Sequence, residues 1–217
     1  MKSLKKRLQD FAKKRSKRID EKNRKRLENQ TPSIICGNCL GGFIYSWLGL
    51  QFCSPFINLF LSNEDFISAL ENWDTFIQSP VVEFPTEEFS YPVGSVNGIK
   101  LHFMHFASFD EAVAAWERRK QRMNPDNMCV MFSNFCGDPL ILERFEKLPF
   151  RHKVVFVDSK EMKTPSAFYI KGFRFYKKML AFFKLKAVPN LFQLQNIFTG
   201  KRFIDQFDYV AFLNSIQ

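Results

Sequence analysis

Residues 153–157 read Lys-Val-Val-Phe-Val, a run in which every position after the first is apolar. A strand built from it has no polar face to turn to water, so it belongs in a parallel sheet covered by helices on both sides. Two more short runs read as buried strands, Ser33-Ile34-Ile35-Cys36 and residues 127–133 (NMCVMFS). The stretches between them have helical spacing. Ser62 or Asn63 can cap a helix to about residue 78, along which Phe66, Leu70 and Trp73 recur. Ser108 and Glu111 form a capping box for a helix to about residue 123, which stops ahead of Asn124-Pro125. Asp138-Pro139 opens another helix through residue 148. This alternation predicts an α/β fold, a mainly parallel, Rossmann-like sheet covered by helices.

Other segments fill in the outline. Asn97-Gly98 between alternating apolar residues is a hairpin signal, so a β-hairpin is inserted into the α/β pattern. Its second arm, residues 100–106, places His102 and Met104 on one side and Leu101, Phe103 and His105 on the other. Residues 37–42 are expected as a loop, 43–50 as one or two helical turns, and 56–61 as a strand. Residues 80–90 read as an exposed connection and 168–170 as a strand. Residues 176–185 read as a basic-aromatic helix and 205–216 as a terminal helix.

Length and charge narrow the function classes. With 217 residues, 46% of them hydrophobic and 27 of them Phe, the chain can bury a sizeable core. Residues 1–29 hold 13 Lys/Arg against 4 Asp/Glu and carry +9 of the formal net charge of +10. The expected organisation is a basic N-terminal extension over 1–29 and one α/β domain over 30–217, with two lobes as the alternative. Leu4, Leu8 and Phe11 share one side of a helix in the extension, which suits an anionic membrane surface; a loosely packed, solvated extension is the competing reading. The body is close to neutral and shows no nucleic-acid reading motif, so nucleic acid is not an expected partner. Five cysteines without a disulfide framework, no secretory leader pattern and no apolar run of about 18–20 residues point to the cytoplasm, at most peripheral at the inner face of a membrane.

Several constellations could carry chemistry. Cys36-Gly37-Asn38-Cys39 is a C-x-x-C after a strand, but Gly41-Gly42 interrupts the helix start that redox chemistry wants, and no second ligand pair completes a metal site. The GNCLGG turn could present backbone N–H groups to an anion, or its glycines could only relieve crowding. Arg118 and Arg122 share a helix face with Arg119 beside it, suited to phosphate or carboxylate; a solvated helix face is the plain alternative. His105 is the side chain best suited by its ordinary pKa to act as a general base. No cofactor is indicated.

Taken together, the motifs resemble a bacterial family, domain of unknown function nineteen-nineteen, associated with exopolysaccharide biosynthesis. The resemblance rests on Asn38-Cys39-x-Gly41-Gly42-x-x-Tyr45, Gly49-Leu50-x-Phe52-x-Ser54-Pro55-x-x-Asn58-Leu59 and Tyr91-Pro92-Val93-Gly94. It continues through His102-Phe103-x-His105, Trp116-x-x-Arg119-x-x-Arg122-x-Asn124, Asp126-Asn127 and Phe145-x-x-Leu148-Pro149-Phe150. Lys153-Val154-Val155-Phe156, Tyr169-Ile170-Lys171-Gly172-Phe173 and Gln206-Phe207-Asp208-Tyr209 complete it over roughly residues 30–215, with the basic extension outside. Cys36 stands where a small residue such as serine is expected. The resemblance implies an α/β transferase of surface-polysaccharide synthesis acting on a sugar or sugar phosphate. In that scheme Arg119 and Arg122 hold a donor phosphate, Asn38, Asn58 and Asn127 bind hydroxyls, and His105 deprotonates the acceptor. Gly41, Gly42, Tyr45 and Ser54 wall the pocket with Asn38 and Asn58, and Asn124 counts among the substrate-binding residues. The alternative is a noncatalytic protein recruited to the membrane or to the polysaccharide machinery by its basic extension.

Overall fold

The computed structural model describes residues 4–135, 137–184 and 188–216; Cys136 and Leu185, the expected last residue of the basic-aromatic helix, lie outside the described residues. Four strands, β1 (Ser33–Cys36), β5 (Met128–Ser133), β6 (Lys153–Val157) and β7 (Ala167–Tyr169), form a parallel sheet in that order. Three antiparallel strands, β2 (Val82–Glu83), β3 (Val93–Val96) and β4 (Ile99–His102), are inserted between β1 and β5. The fold is therefore α/β with a mainly parallel sheet and an inserted hairpin, β3–β4, extended by one short strand. Asn97 and Gly98 both take positive φ, as the tight turn joining β3 to β4 requires.

Both faces of the sheet are buried, as its apolar runs demand. Ile35, Val130, Phe132, Val155 and Val157 face one core with Phe56, Phe66, Trp116 and Phe145. Ile34, Cys36, Cys129, Met131, Val154 and Phe156 face the other with Ile44, Tyr45, Phe173 and Tyr209. The first core is roofed by α3 (Asn63–Glu71), α4 (Trp73–Gln78), α5 (Phe109–Lys120) and α6 (Pro139–Lys147). The second is roofed by α2 (Leu40–Leu48), α7 (Phe173–Phe182) and α8 (Tyr209–Asn214). The capping chemistry operates as the residues dictate: Ser108 Oγ accepts from Glu111 N at 3.2 Å, and Asp138 Oδ1 accepts from Leu140 N at 2.9 Å.

Several boundaries differ from the expectations, each for a local reason. The helix after β1 begins at Leu40, so Gly41 and Gly42 lie inside α2 instead of in a loop. A Cβ on Gly41 would stand 3.3 Å from Cys36 Cβ, so this glycine lets helix and strand approach closely. Residues 56–61 form no ladder strand; Phe60 makes a single antiparallel bridge to His102, and Leu61 N donates to Gly37 O. The helix expected to about residue 78 breaks at Asn72 into α3 and α4. β4 ends at His102, so His105 sits in a turn and not on a strand. The terminal helix is α8 preceded by a 3-10 turn, Phe203–Gln206. The basic-aromatic helix starts at Phe173, three residues early.

The basic extension is a helix, α1 (Leu4–Arg26), packed on the body. Its inward stripe runs through Leu8, Ala12, Ser16, Asp20 and Asn23, and Leu27 just past the helix is buried as well. Ser16 Oγ donates to Gly200 O at 2.5 Å, Asn23 Nδ2 donates to Tyr209 Oη at 2.8 Å, and Arg26 pairs with Asp208. Gly200, at φ +71°, lies so close that a Cβ there would meet Arg15 Cβ at 2.6 Å and Ala12 O at 2.8 Å. Arg202, 4% exposed, bonds Asp20 at 2.6 Å and Asp205 at 3.0 Å beneath α1 and rests over the Trp47 ring. Of the expected apolar trio, Leu8 is turned inward and Phe11 is exposed with Arg15 over its ring; the side chain of Leu4 lies outside the described ones. Among the described residues no helix is long and apolar enough to cross a membrane.

Candidate functional site

The first turn after β1 is organised by Asn38, whose Oδ1 accepts from Leu40 N at 2.9 Å and from the Cys36 thiol at 3.4 Å. This opens α2 at Cys39. The turn's N–H groups are directed inward: those of Asn38 and Gly41 face the Cys36 sulfur, and that of Leu40 is taken by Asn38. Of the N–H groups considered for an anion cradle in GNCLGG, that of Leu40 is thereby used within the turn. Burial pushes the Cys36 thiol up to about 11, keeping it a neutral thiol, so the C-x-x-C does not present a reactive thiolate there.

Cys39 is turned the other way. It lines two adjoining hollows of ≈ 500 Å³ and ≈ 410 Å³, which also share His105 and Phe192. Together they make one cleft beyond the carboxyl ends of β1 and β5, the edge at which α/β sheets bind ligands. Gly42, Phe52 and Asn58 border the first hollow; Asn38, Ser133 and Phe135 border the second. His105 is exposed at the junction, its Nε2 3.5 Å from Cys39 Sγ. Burial pushes the Cys39 thiol up as well, so it meets the imidazole as a neutral group. His102, by contrast, is directed inward among Phe60, Phe89 and Tyr91, and burial lowers its proton affinity.

Asn58 holds φ +64°, a left-handed conformation that asparagine tolerates better than other side-chain-bearing residues. Arg119 lies behind it. Only 8% exposed, this guanidinium donates from Nη1 to Ile57 O at 3.0 Å, with its Cζ 5.4 Å from the Phe52 ring centre and 5.8 Å from that of Phe106. Arg119 therefore binds the backbone beside Asn58, a cleft-wall ring, and the residue next to His105. Burial, with Arg118 and Arg122 nearby, weakens its hold on its proton. The expected phosphate ligand is a strut under the cleft.

The cleft gathers Asn38, Gly42, Asn58 and His105 and leaves the other candidates elsewhere. Gly41 is buried against β1. The Tyr45 hydroxyl donates to Pro32 O at 2.6 Å and accepts from Ile34 N at 2.9 Å, stitching the start of β1. Ser54 is buried and accepts from Phe56 N. Arg122 is exposed beyond the end of α5. Asn124 and Asn127 stand at the opposite, amino edge of the sheet. Asn124 accepts from Asp126 N, while Asn127 exchanges amide bonds of 2.7 and 2.9 Å with Asn29. Sequence reasoning set Cys39 aside with the C-x-x-C and missed the wall formed by residues 188–192; the contact with His105, 66 positions away, brings the cysteine back to the site. Among the described residues no group of three or more His, Cys, Asp or Glu is placed to hold a metal.

A third hollow, of ≈ 270 Å³, shares the Phe135 wall. Arg174, Lys177 and Lys178 surround Asp158 there, Lys177 bonding both Asp158 Oδ2 at 2.8 Å and Phe135 O. Three cations against one carboxylate leave this end of β6 positive.

Comparison with known proteins places the chain as follows. A family model described as Domain of unknown function (DUF1919) matches residues 11–214. An uncharacterized protein of Haemophilus influenzae is 37% identical over 197 residues, covering 90% of each chain. The shared region thus reaches well into α1, where the motif resemblance stopped near residue 30.

Proposed function

We propose, on the premise that the chain belongs to the DUF1919 family, that its cleft is the site of a transferase in surface-polysaccharide (exopolysaccharide, capsule or lipooligosaccharide) synthesis, acting on a sugar or phosphate-bearing donor. One observation carries the reading: Asn38, Asn58 and His105 converge on a single cleft at the carboxyl edge of a parallel sheet. The Asn58 amide can donate and accept, and the Asn38 amide, its oxygen held by Leu40 N and the Cys36 thiol, can donate through its NH2; both suit the hydroxyls of a sugar. His105, exposed at the junction and steadied by Cys39, takes the proton of an acceptor hydroxyl. The donor phosphate lies toward the hollow of Arg174, Lys177 and Lys178, where three cations outnumber the one carboxylate, Asp158, with which Arg174 and Lys177 pair. Positioning and fixed charge supply the acceleration.

The test is equilibrium titration with nucleotide sugars and glycerol-phosphate donors, joined to glycan analysis of cells carrying His105→Ala. Saturable binding of a donor and an altered surface glycan are expected. No donor binding together with an unchanged glycan refutes the reading. The alternative is a noncatalytic protein recruited to the membrane or to the polysaccharide machinery by residues 1–29; of the apolar side chains this would use, Leu8 is turned onto the fold while Phe11 stays exposed.

A further inference from the structure

We propose that the outer face of α7 docks the protein on an anionic lipid bilayer. The inner face of this helix is an ordinary core face: Phe173 and Leu180 are buried, and Tyr176 packs on Phe203. The outer face is not an ordinary solvent face. Phe175, Lys178 and Phe182, at i, i+3 and i+7, form one outward stripe, with Phe175 74% and Phe182 80% exposed. Phe183 continues it at 63% exposed. Single exposed apolar residues need no explanation, but a row of bare aromatic rings on one short helix marks an interaction surface.

The charge around the rings selects the partner. Residues 171–184 contain Lys171, Arg174, Lys177, Lys178 and Lys184 and no Asp or Glu; Asp158 of the neighbouring loop pairs with Arg174 and Lys177, and the segment keeps a net excess of positive charge, carried by the exposed Lys171, Lys178 and Lys184. Exposed phenylalanines set among lysines are the pattern of a helix lying in a membrane interface, its rings between acyl chains and its cations among anionic headgroups. A second copy of this chain would meet the same face with its own cations and be repelled, so self-association is disfavoured. α1 is more basic, but its inner stripe is used by the fold.

Docking through α7 also places the cleft. Residues 188–192 wall it, and Gln193 ties them to α7, its Oε1 accepting from the Tyr176 hydroxyl at 2.5 Å and from Asn190 N at 3.3 Å. Val188, on that wall, is itself 80% exposed. A docked α7 therefore brings the cleft to the bilayer surface. The inference does not depend on the reaction assigned to the cleft.

The experiment is sedimentation of the full chain with vesicles of phosphatidylglycerol and phosphatidylethanolamine, or of phosphatidylcholine alone. A Phe175→Ser/Phe182→Ser variant and an Arg7→Glu/Lys14→Glu variant on the exposed side of α1 are compared with the native chain. Circular dichroism checks their folds, and light scattering their association state. Expected are binding of the native chain to the anionic vesicles, weakened by salt, an affinity lower by about tenfold or more in the phenylalanine variant, and a smaller change in the α1 variant. Three results overturn the proposal: no native binding to anionic vesicles, equal binding by the phenylalanine variant, or a native dimer that the phenylalanine changes dissociate without any effect on lipid.

Discussion

Replacing Arg119 by Met separates two roles that a cation in this family motif could play. As a strut, Arg119 donates a buried bond to Ile57 O and sits between the Phe52 and Phe106 rings. Its loss leaves the Ile57 carbonyl without that donor in a residue 1% exposed, a cost of about 1–3 kcal/mol. Two ring contacts add about 0.5–1 kcal/mol each. Relief from burying a charge returns part of this, and a net loss of roughly 2–4 kcal/mol is expected. For a chain of this size that lowers Tm by about 4–16 °C. Arg122→Met, at an exposed position just past the same helix, should change stability by no more than about 0.5 kcal/mol. Urea and thermal unfolding of both variants, followed by donor titration, distinguish the roles. A phosphate ligand would show the reverse pattern in Arg119→Met, an unchanged Tm with donor affinity lost, and that result refutes the strut.

Three further predictions concern the same structure. Arg202→Met strands the buried carboxylates of Asp20 and Asp205 and should cost about 3–5 kcal/mol, with hydrogen exchange across α1 accelerating; unchanged protection of residues 4–26 would contradict the packing of α1. Burial lowers the folded-state pKa of His102 below its ordinary value, so the unfolded chain takes up this proton first as pH falls. Stability should accordingly drop below about pH 6.5, and His102→Gln should shallow the drop in urea midpoints between pH 7.5 and 5.5; identical slopes would remove the argument. Alkylation of the native protein should reach Cys39 before Cys36, Cys53 or Cys129, which are buried, and peptide mass spectrometry reads the order directly.

The architecture was legible wherever side-chain pattern alone decides structure. Lys153–Val157 and Met128–Ser133 had to be buried on both faces, and Ser108, Asp138 and Asn97-Gly98 mark their caps and turn by local chemistry. The failures lie where tertiary contact overrides local preference. Gly41 and Gly42 read as a loop because nothing local shows that the helix must press against Cys36 and Ile34. The extension read as detached because its polar anchors, Ser16, Asp20 and Asn23, find partners near the other end of the chain. The site was half legible for the same reason. Asn38, Asn58 and His105 come together in the cleft, but spacing could not tell that Arg119 points inward, that Asn124 and Asn127 serve the opposite edge of the sheet, or that Cys39 belongs beside His105.

The central claim is that the cleft between α2, the Asn58 turn and residues 188–192 receives the donor. Photolabelling with a nucleotide sugar carrying a photoreactive group, followed by peptide mass spectrometry, tests it most directly. Labels confined to residues 38–43, 58–60, 104–105 and 188–192 and to the adjoining hollow of Phe135, Arg174, Lys177 and Lys178, competed by unlabelled donor, are the predicted result. Labels at Arg119, Arg122 or residues 124–127, or labelling that unlabelled donor does not compete, would contradict it.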